Sequence, residues 1–216
     1  MSAVDVRDRS ATPPGPRVAH DRIVDATLRC LGRWGLAKTT VDDVAREAGV
    51  GRATLYRLFP GGRDALLDAV VASETETLWS RVDARVATAT TLEDVLVASI
   101  VEAGGALTGH AALQFLLVHE PEVVLPHLAF QRLDALLRRA AQHAGPLVEP
   151  WLPASDGPAT RAERAARAVE WIVRIVLSYA LAPSPDVDVS DPESVRRLVR
   201  TYIIPGLAPA ATRSTA

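Results

Sequence analysis

The sequence predicts an all-α protein, with an N-terminal three-helix head followed by a C-terminal helical bundle and about nine helices in all. Three observations carry this. Apolar residues recur at three- and four-residue steps almost throughout. No run of alternating apolar and polar residues bounded by hairpin turns argues for a sheet. Of 216 residues, 48% are hydrophobic and 23% charged, an ordinary balance for a chain with a sizeable core, which excludes a disordered tail protein and a coiled-coil rod.

Each element follows in order. Residues 1–16 mix charges with Thr12, Pro13, Pro14, Gly15 and Pro16 and read as a flexible arm, with no apolar stretch long enough for a signal peptide or membrane span. A first helix is expected from Val18 to Trp34, placing Ile23, Ala26, Thr27, Cys30 and Leu31 on one face, with Gly35 as its stop. A second, Thr40 to Ala48, opens on a capping-box spacing of Thr40 and Asp43 and ends at Gly49. A third starts near Arg52 and stops before Pro60-Gly61-Gly62. Residues 17–62 thus form the head. Residues 63–207 form the body, with helices expected over Arg63–Thr88, Thr91–Leu107, His110–His119, Glu122 or Leu125 to His143, Thr160–Ala182 and Asp191–Ile204. Pro121 breaks the series, and four prolines within residues 145–158 mark a surface loop. Residues 208–216 read as a flexible tail.

The net charge of −2 conceals an asymmetry: residues 17–64 carry +3 and residues 65–216 carry −5. A basic head on an acidic body suits an anion-binding module. The lone cysteine, Cys30, cannot form an internal disulfide, so a reducing cytoplasm is the expected setting, and its place on the buried face of the first helix makes it a small hydrophobe.

The informative stretch is Thr40 to Phe59, TVDDVAREAGVGRATLYRLF, whose spacing is that of a helix-turn-helix. Counting Val41 as the first position, the fifth must be small because the two helices cross there, and Ala45 supplies it. The ninth must tolerate a left-handed turn, and Gly49 does so without a Cβ penalty. Val44, Ala48, Val50, Leu55 and Leu58 then face inward, and Arg52, Ala53, Thr54, Tyr56 and Arg57 outward. That outward edge carries hydrogen-bonding groups and two guanidiniums, suited to a major groove whose edges and phosphates present mostly acceptors.

Residues 22–67 resemble the DNA-binding domain of the TetR family of bacterial transcriptional regulators, through Ile23, Ala26, Gly35, Thr40-Val41, Val44-Ala45, Ala48-Gly49-Val50, Thr54-Leu55-Tyr56, Phe59, Arg63 and Leu66-Leu67. The resemblance implies that Arg52, Ala53 and Thr54 read bases, while Thr40, Tyr56, Arg57 and Arg63 hold phosphates. Gly51 and Gly62 depart from the family pattern, standing where a serine often caps the third helix or precedes the basic residue. One head covers about half of a typical operator, so a homodimer on a palindromic double-stranded DNA site is expected. Family relatives pair through their last two long helices, which here puts Val169, Ile172, Val173, Val176, Val195, Leu198, Val199 and Tyr202 at the dimer interface, unless half of them pack the protomer's own core. The resemblance also implies an effector pocket in the body, with Trp79, Leu96, Ile100, Phe115, Leu116, Leu137, Trp171 and Ile175 as apolar lining and Gln114, His119, Arg132 or Arg174 as polar anchors, against ordinary core and surface roles. Arg174 interrupts an apolar run, so it faces solvent, pairs with Glu170 or points into a cavity.

A metal site is not expected. His110, His119, Glu120 and His127 lack ligand spacing: no two of these histidines stand three or four residues apart. Without a Gly-x-Ser-x-Gly elbow or a glycine-rich phosphate loop, catalysis has no evident nucleophile or cradle and no cofactor is implied. The expected function is therefore a cytoplasmic, ligand-responsive regulator, most simply a repressor released by a small apolar or amphipathic effector. The alternatives are an activator, a co-repressor-dependent regulator, or a carrier or enzyme that uses the helical body.

Overall fold

The computed structural model describes residues 16–122, 125, 133–154 and 159–207, and these are all-α, with no strand among them. Helices α1 (Pro16–Lys38), α2 (Val41–Ala48) and α3 (Arg52–Leu58) build the head. Helices α4 (Arg63–Val86), α5 (Leu92–Thr108), α6 (Ala111–His119), α7 (Leu133–Val148), α8 (Arg161–Leu181) and α9 (Pro192–Leu198) follow. The expected arm before Pro16, the tail after Leu207, and Arg132 and His127 lie outside the described residues.

Local chemistry explains most boundaries. Thr40 and Asp43 close a complete capping box on α2, and Thr160 with Glu163 closes another on α8. Thr91 caps α5 and Asp191 caps α9, with Pro192 at its first position, where a missing N–H costs nothing.

Three boundaries differ from the expectation. Gly35 does break the first helix, leaving helical geometry at φ 77° and ψ 177°, but a further helical turn resumes beyond it and runs to Lys38, so α1 is two helical stretches joined at a kink. Proline does not end α7, since the helix runs through Pro146 to Val148, whose side chain is buried with Leu152 in the body core. That packing outweighs the roughly 3 kcal/mol that proline costs inside a helix. Beyond α9 the chain widens into a π-turn, Val199–Ile203, before a last turn, Ile204–Leu207. There the Ile204 N–H reaches back to the Val199 carbonyl, so the ladder has already shifted register when Pro205 withholds its donor.

The head core gathers Ile23, Ala26, Cys30, Val44, Ala45, Ala48, Leu55 and Phe59 with Leu66 and Val70, so the first two turns of α4 belong to it. Two body clusters follow: one around Val82, Val95, Ala140, Val148, Ala168 and Val169, the other around Leu96, Ile100, Ile172, Val176, Val195 and Val199. A small fourth cluster, Leu31, Leu36 and Ala112 with Leu67 and Leu116, joins head to body across α1, α4 and α6.

Candidate nucleic-acid interface

The turn between α2 and α3 forms as its residue types require. Gly49 takes φ 63° and ψ 37°, and its N–H caps α2 by donating to the carbonyls of Ala45 and Arg46. Ala45 is buried at 3% exposure where the helices cross, and Leu55, on the inner face of α3, is fully buried. Opposite Leu55, α3 turns Arg52, Ala53, Tyr56 and Arg57 to solvent, while Thr54 is half-buried; Tyr56 is 45% exposed. The expected outward edge is therefore present. Gly51 caps α3 and Gly62 caps α4 without any side-chain bond, as their lack of a hydroxyl dictates.

The expected contact residues differ in how far they are free. Among the described residues Arg57 makes no hydrogen bond or ion pair. Arg52 meets Asp42 of α2, with Nε 2.7 Å from Oδ1. The Thr40 hydroxyl, expected to anchor phosphate, accepts from Asp43 N (3.2 Å) and donates to Asp43 Oδ2 (2.5 Å). That bond, with a second from the Thr40 N–H, holds the Asp43 carboxyl below the usual carboxylate range. Arg63 is likewise not wholly free, because one terminal nitrogen donates to the Leu36 carbonyl at the end of α1. The hydrogen bond from Arg29 to Glu47 (2.8 Å) keeps Glu47 ionised below its ordinary range, and burial pushes the Cys30 thiol up, consistent with a packing role.

The sequence missed a junction. Glu120, considered there only as a metal ligand, ends α6 and aims its carboxylate at the Gly35 kink, accepting from Leu36 N at 2.8 Å and from Ala37 N at 3.1 and 3.2 Å. Thr39 closes the same loop by donating to the Gly35 carbonyl at 2.6 Å. With Arg63 on one side and Glu120 on the other, the end of α1 is held by both α4 and α6. No local pattern reveals this, since Glu120 lies 84 residues from Leu36.

Among the described residues, the expected pocket residues are spread over different parts of the body. Trp79 stacks on His143 at 4.6 Å between ring centres, and Phe115 stacks on His119 at 4.2 Å beside the Gly35 kink. Trp171 is 63% exposed, and Arg174 pairs with Glu170 at 2.8 Å on the solvent side of α8. Ile175 packs on the second body cluster. An open groove of about 690 Å³ does occur, but at the head–body junction, lined by Leu28, Arg29, Gly32, Arg33 and the start of α6.

The expected dimer face also divides. Val169, Ile172, Val176, Val195, Leu198 and Val199 are at most 7% exposed in the single chain, so their side chains fill the protomer's own core. Val173 is half-buried against the first body cluster, and only Tyr202, at 72% exposure, faces outward. Among the described residues no cluster of potential ligands could hold a metal ion, and no single helix is long and apolar enough to cross a membrane.

The head matches known proteins as its geometry suggests. Residues 23–70 fit the family model described as bacterial regulatory proteins, tetR family. Residues 23–70 are thus a TetR-family DNA-binding domain. An uncharacterised helix-turn-helix-type transcriptional regulator of Mycobacterium tuberculosis, recorded in strains CDC 1551 and H37Rv, is 28% identical over 194 residues, covering 90% of this chain and 88% of that protein. Among solved structures, the fold resembles the TetR family repressor AlkX of Dietzia sp. strain DQ12-45-1b, implicated in biodegradation of n-alkanes (TM-score 0.61, 23% identity, 88% of this chain and 97% of that one). It also resembles AibR, solved with isovaleryl coenzyme A and operator DNA (TM-score 0.52, 16% identity, 86% and 98%). With its TetR-family head, the protein is a helix-turn-helix transcriptional regulator that binds DNA.

Proposed function

We propose that this regulator is a cytoplasmic repressor that binds a palindromic operator as a homodimer and leaves it when a small apolar or amphipathic molecule occupies the body. The observation that carries the reading is the exposed edge of α3, held outward by the buried Leu55 and the left-handed Gly49. On it, Arg52, Ala53 and Thr54 meet bases and Tyr56 and Arg57 meet phosphates. The first-turn amides of α2 and the free part of Arg63 complete the backbone grip. Residues 17–62, with the first turns of α4, act as the reading head and residues 63–207 as the effector and dimerisation body.

Two heads need a partner surface. The face we assign is the one bearing Trp171 on α8 and Tyr202 beyond α9, aromatics left in solvent by helices that both pack on α5. Burying either aromatic against a partner would take about 150–250 Å² of side-chain surface out of water. The effector class is supported by AlkX and AibR, whose ligands or roles involve alkyl or acyl chains. Effector occupancy reaches the head through α6, whose terminal Glu120 holds the end of α1.

The test is a gel shift on duplexes selected from random DNA. Arg52→Ala and Tyr56→Phe should each weaken binding by about 1–3 kcal/mol at fixed salt. Unchanged affinity in both would show that α3 is not the reading helix.

A further inference from the structure

The head carries three acids on α2, and two are engaged in building it. Asp43 closes the capping box and pairs with Arg46 at 3.0 Å, and Glu47 pairs with Arg29. Asp42 does neither. Its Oδ1 lies 2.7 Å from Arg52 Nε, across the turn on the outward edge of α3, with side chains 42% and 67% exposed. The contact is one of charge rather than an aligned hydrogen bond: Oδ1 is shielded from solvent yet has no hydrogen-bond partner. Among the described residues neither terminal nitrogen of Arg52 donates a hydrogen bond.

A carboxylate on a DNA-facing edge opposes phosphate wherever it is left uncovered, and therefore weakens every complex regardless of sequence. Covered by Arg52, it instead draws the Nε side of the guanidinium toward α2 and leaves the two terminal nitrogens to lead outward. Those nitrogens form the planar fork that matches guanine N7 and O6. A long side chain that sampled many rotamers would find phosphate as readily as a base.

We infer that Asp42 is a specificity-determining residue, which acts through Arg52 by steering its fork toward a guanine edge and by penalising complexes in which Arg52 turns to phosphate. The inference rests on α3 being the reading helix. Asp42 itself is a positioning residue and contacts no base.

The experiment measures affinity for the selected operator, for every single-base variant of it, and for unrelated duplex DNA. Asp42→Asn should lower discrimination at one G·C pair by about 10-fold, while affinity for unrelated DNA stays equal or rises. Arg52→Ala should lose discrimination at the same pair, and the double variant should discriminate no worse than Arg52→Ala alone. Asp42→Glu should restore part of the selectivity, a rescue that a change in folding would not give. Arg52→Lys keeps the charge beside Asp42 but removes the fork, and should also lose discrimination there; it keeps the test decisive if Asp42→Asn misfolds. Wild-type selectivity in Asp42→Asn, additive losses in the double variant, or losses at different base pairs would overturn the inference while leaving α3 as the reading helix. A wild-type chain that selects no duplex would instead sink the reading on which it rests.

Discussion

The Gly35 kink is where the account is most exposed to a single substitution. At φ 77° and ψ 177° the backbone lies where residues with a Cβ are strained by about 1–3 kcal/mol. An added methyl would also sit 2.4 Å from Glu120 Oε1 and 3.1 Å from Phe115 Cε1. The carboxylate is the end of a flexible side chain and can retreat, but only by releasing its bonds from Leu36 N and Ala37 N. Losing hydrogen bonds to a charged acceptor costs a further 1.5–3 kcal/mol or so. Gly35→Ala should therefore destabilise the chain by about 3–5 kcal/mol, a drop of roughly 10 °C in Tm for a protein of this size. Urea denaturation by linear extrapolation measures it. Glu120→Ala should lose only the hydrogen-bond part. The pair combined should cost less than the sum, since the clash disappears with the carboxylate. A Gly35→Ala protein within about 1 kcal/mol of wild type would refute the strain argument and, with it, the view that Glu120 clamps the head to the body.

Three further outcomes follow from the same geometry. Replacing Trp171 and Tyr202 together by aspartate should shift the chain from dimer to monomer in sedimentation velocity while leaving its helical circular dichroism intact; an unchanged dimer would move the interface elsewhere. Hydrogen bonds from Arg200 and Arg196 hold Glu93 below the usual carboxylate range and tie α5 to α9 and to the π-turn beyond it. A depressed folded pKa contributes stability that is complete above the unfolded value, about 4.3, and is lost as pH falls through the folded one. The urea midpoint should accordingly be flat near neutral pH and fall in acid, and Glu93→Gln should reduce that fall; an identical acid limb would exclude the tie. Operator affinity should decline steeply and log-linearly with salt, and Arg57→Ala should lower the slope by about one contact's worth without altering base preference.

Much of the head was legible because its determinants are local. Thr40 with Asp43, Ala45 and Gly49 act within a turn or two of their own positions, and each does in the fold what its chemistry requires. The misreadings share a physical cause in distant contacts. Gly35 breaks the first helix as the sequence suggests, but the turn that resumes beyond it was not legible, because the carboxylate that holds it comes from α6. The helix expected to end at His143, before Pro146, runs on, because burial of Val148 carries it past the proline. Apolar periodicity also cannot separate a face turned to the protomer's own core from one turned to a partner. Val195 and Val199 are wholly buried, whereas Trp171, expected in a pocket, stands in solvent.

The central claim is that the edge of α3 reads duplex DNA in two copies, and selection from a random duplex library tests it most directly. The account predicts an enriched inverted repeat whose half-sites lie about one helical turn, or a multiple of it, apart, bound by an even number of chains. A library that returns no sequence, or a single unrepeated half-site held by one chain, would contradict it.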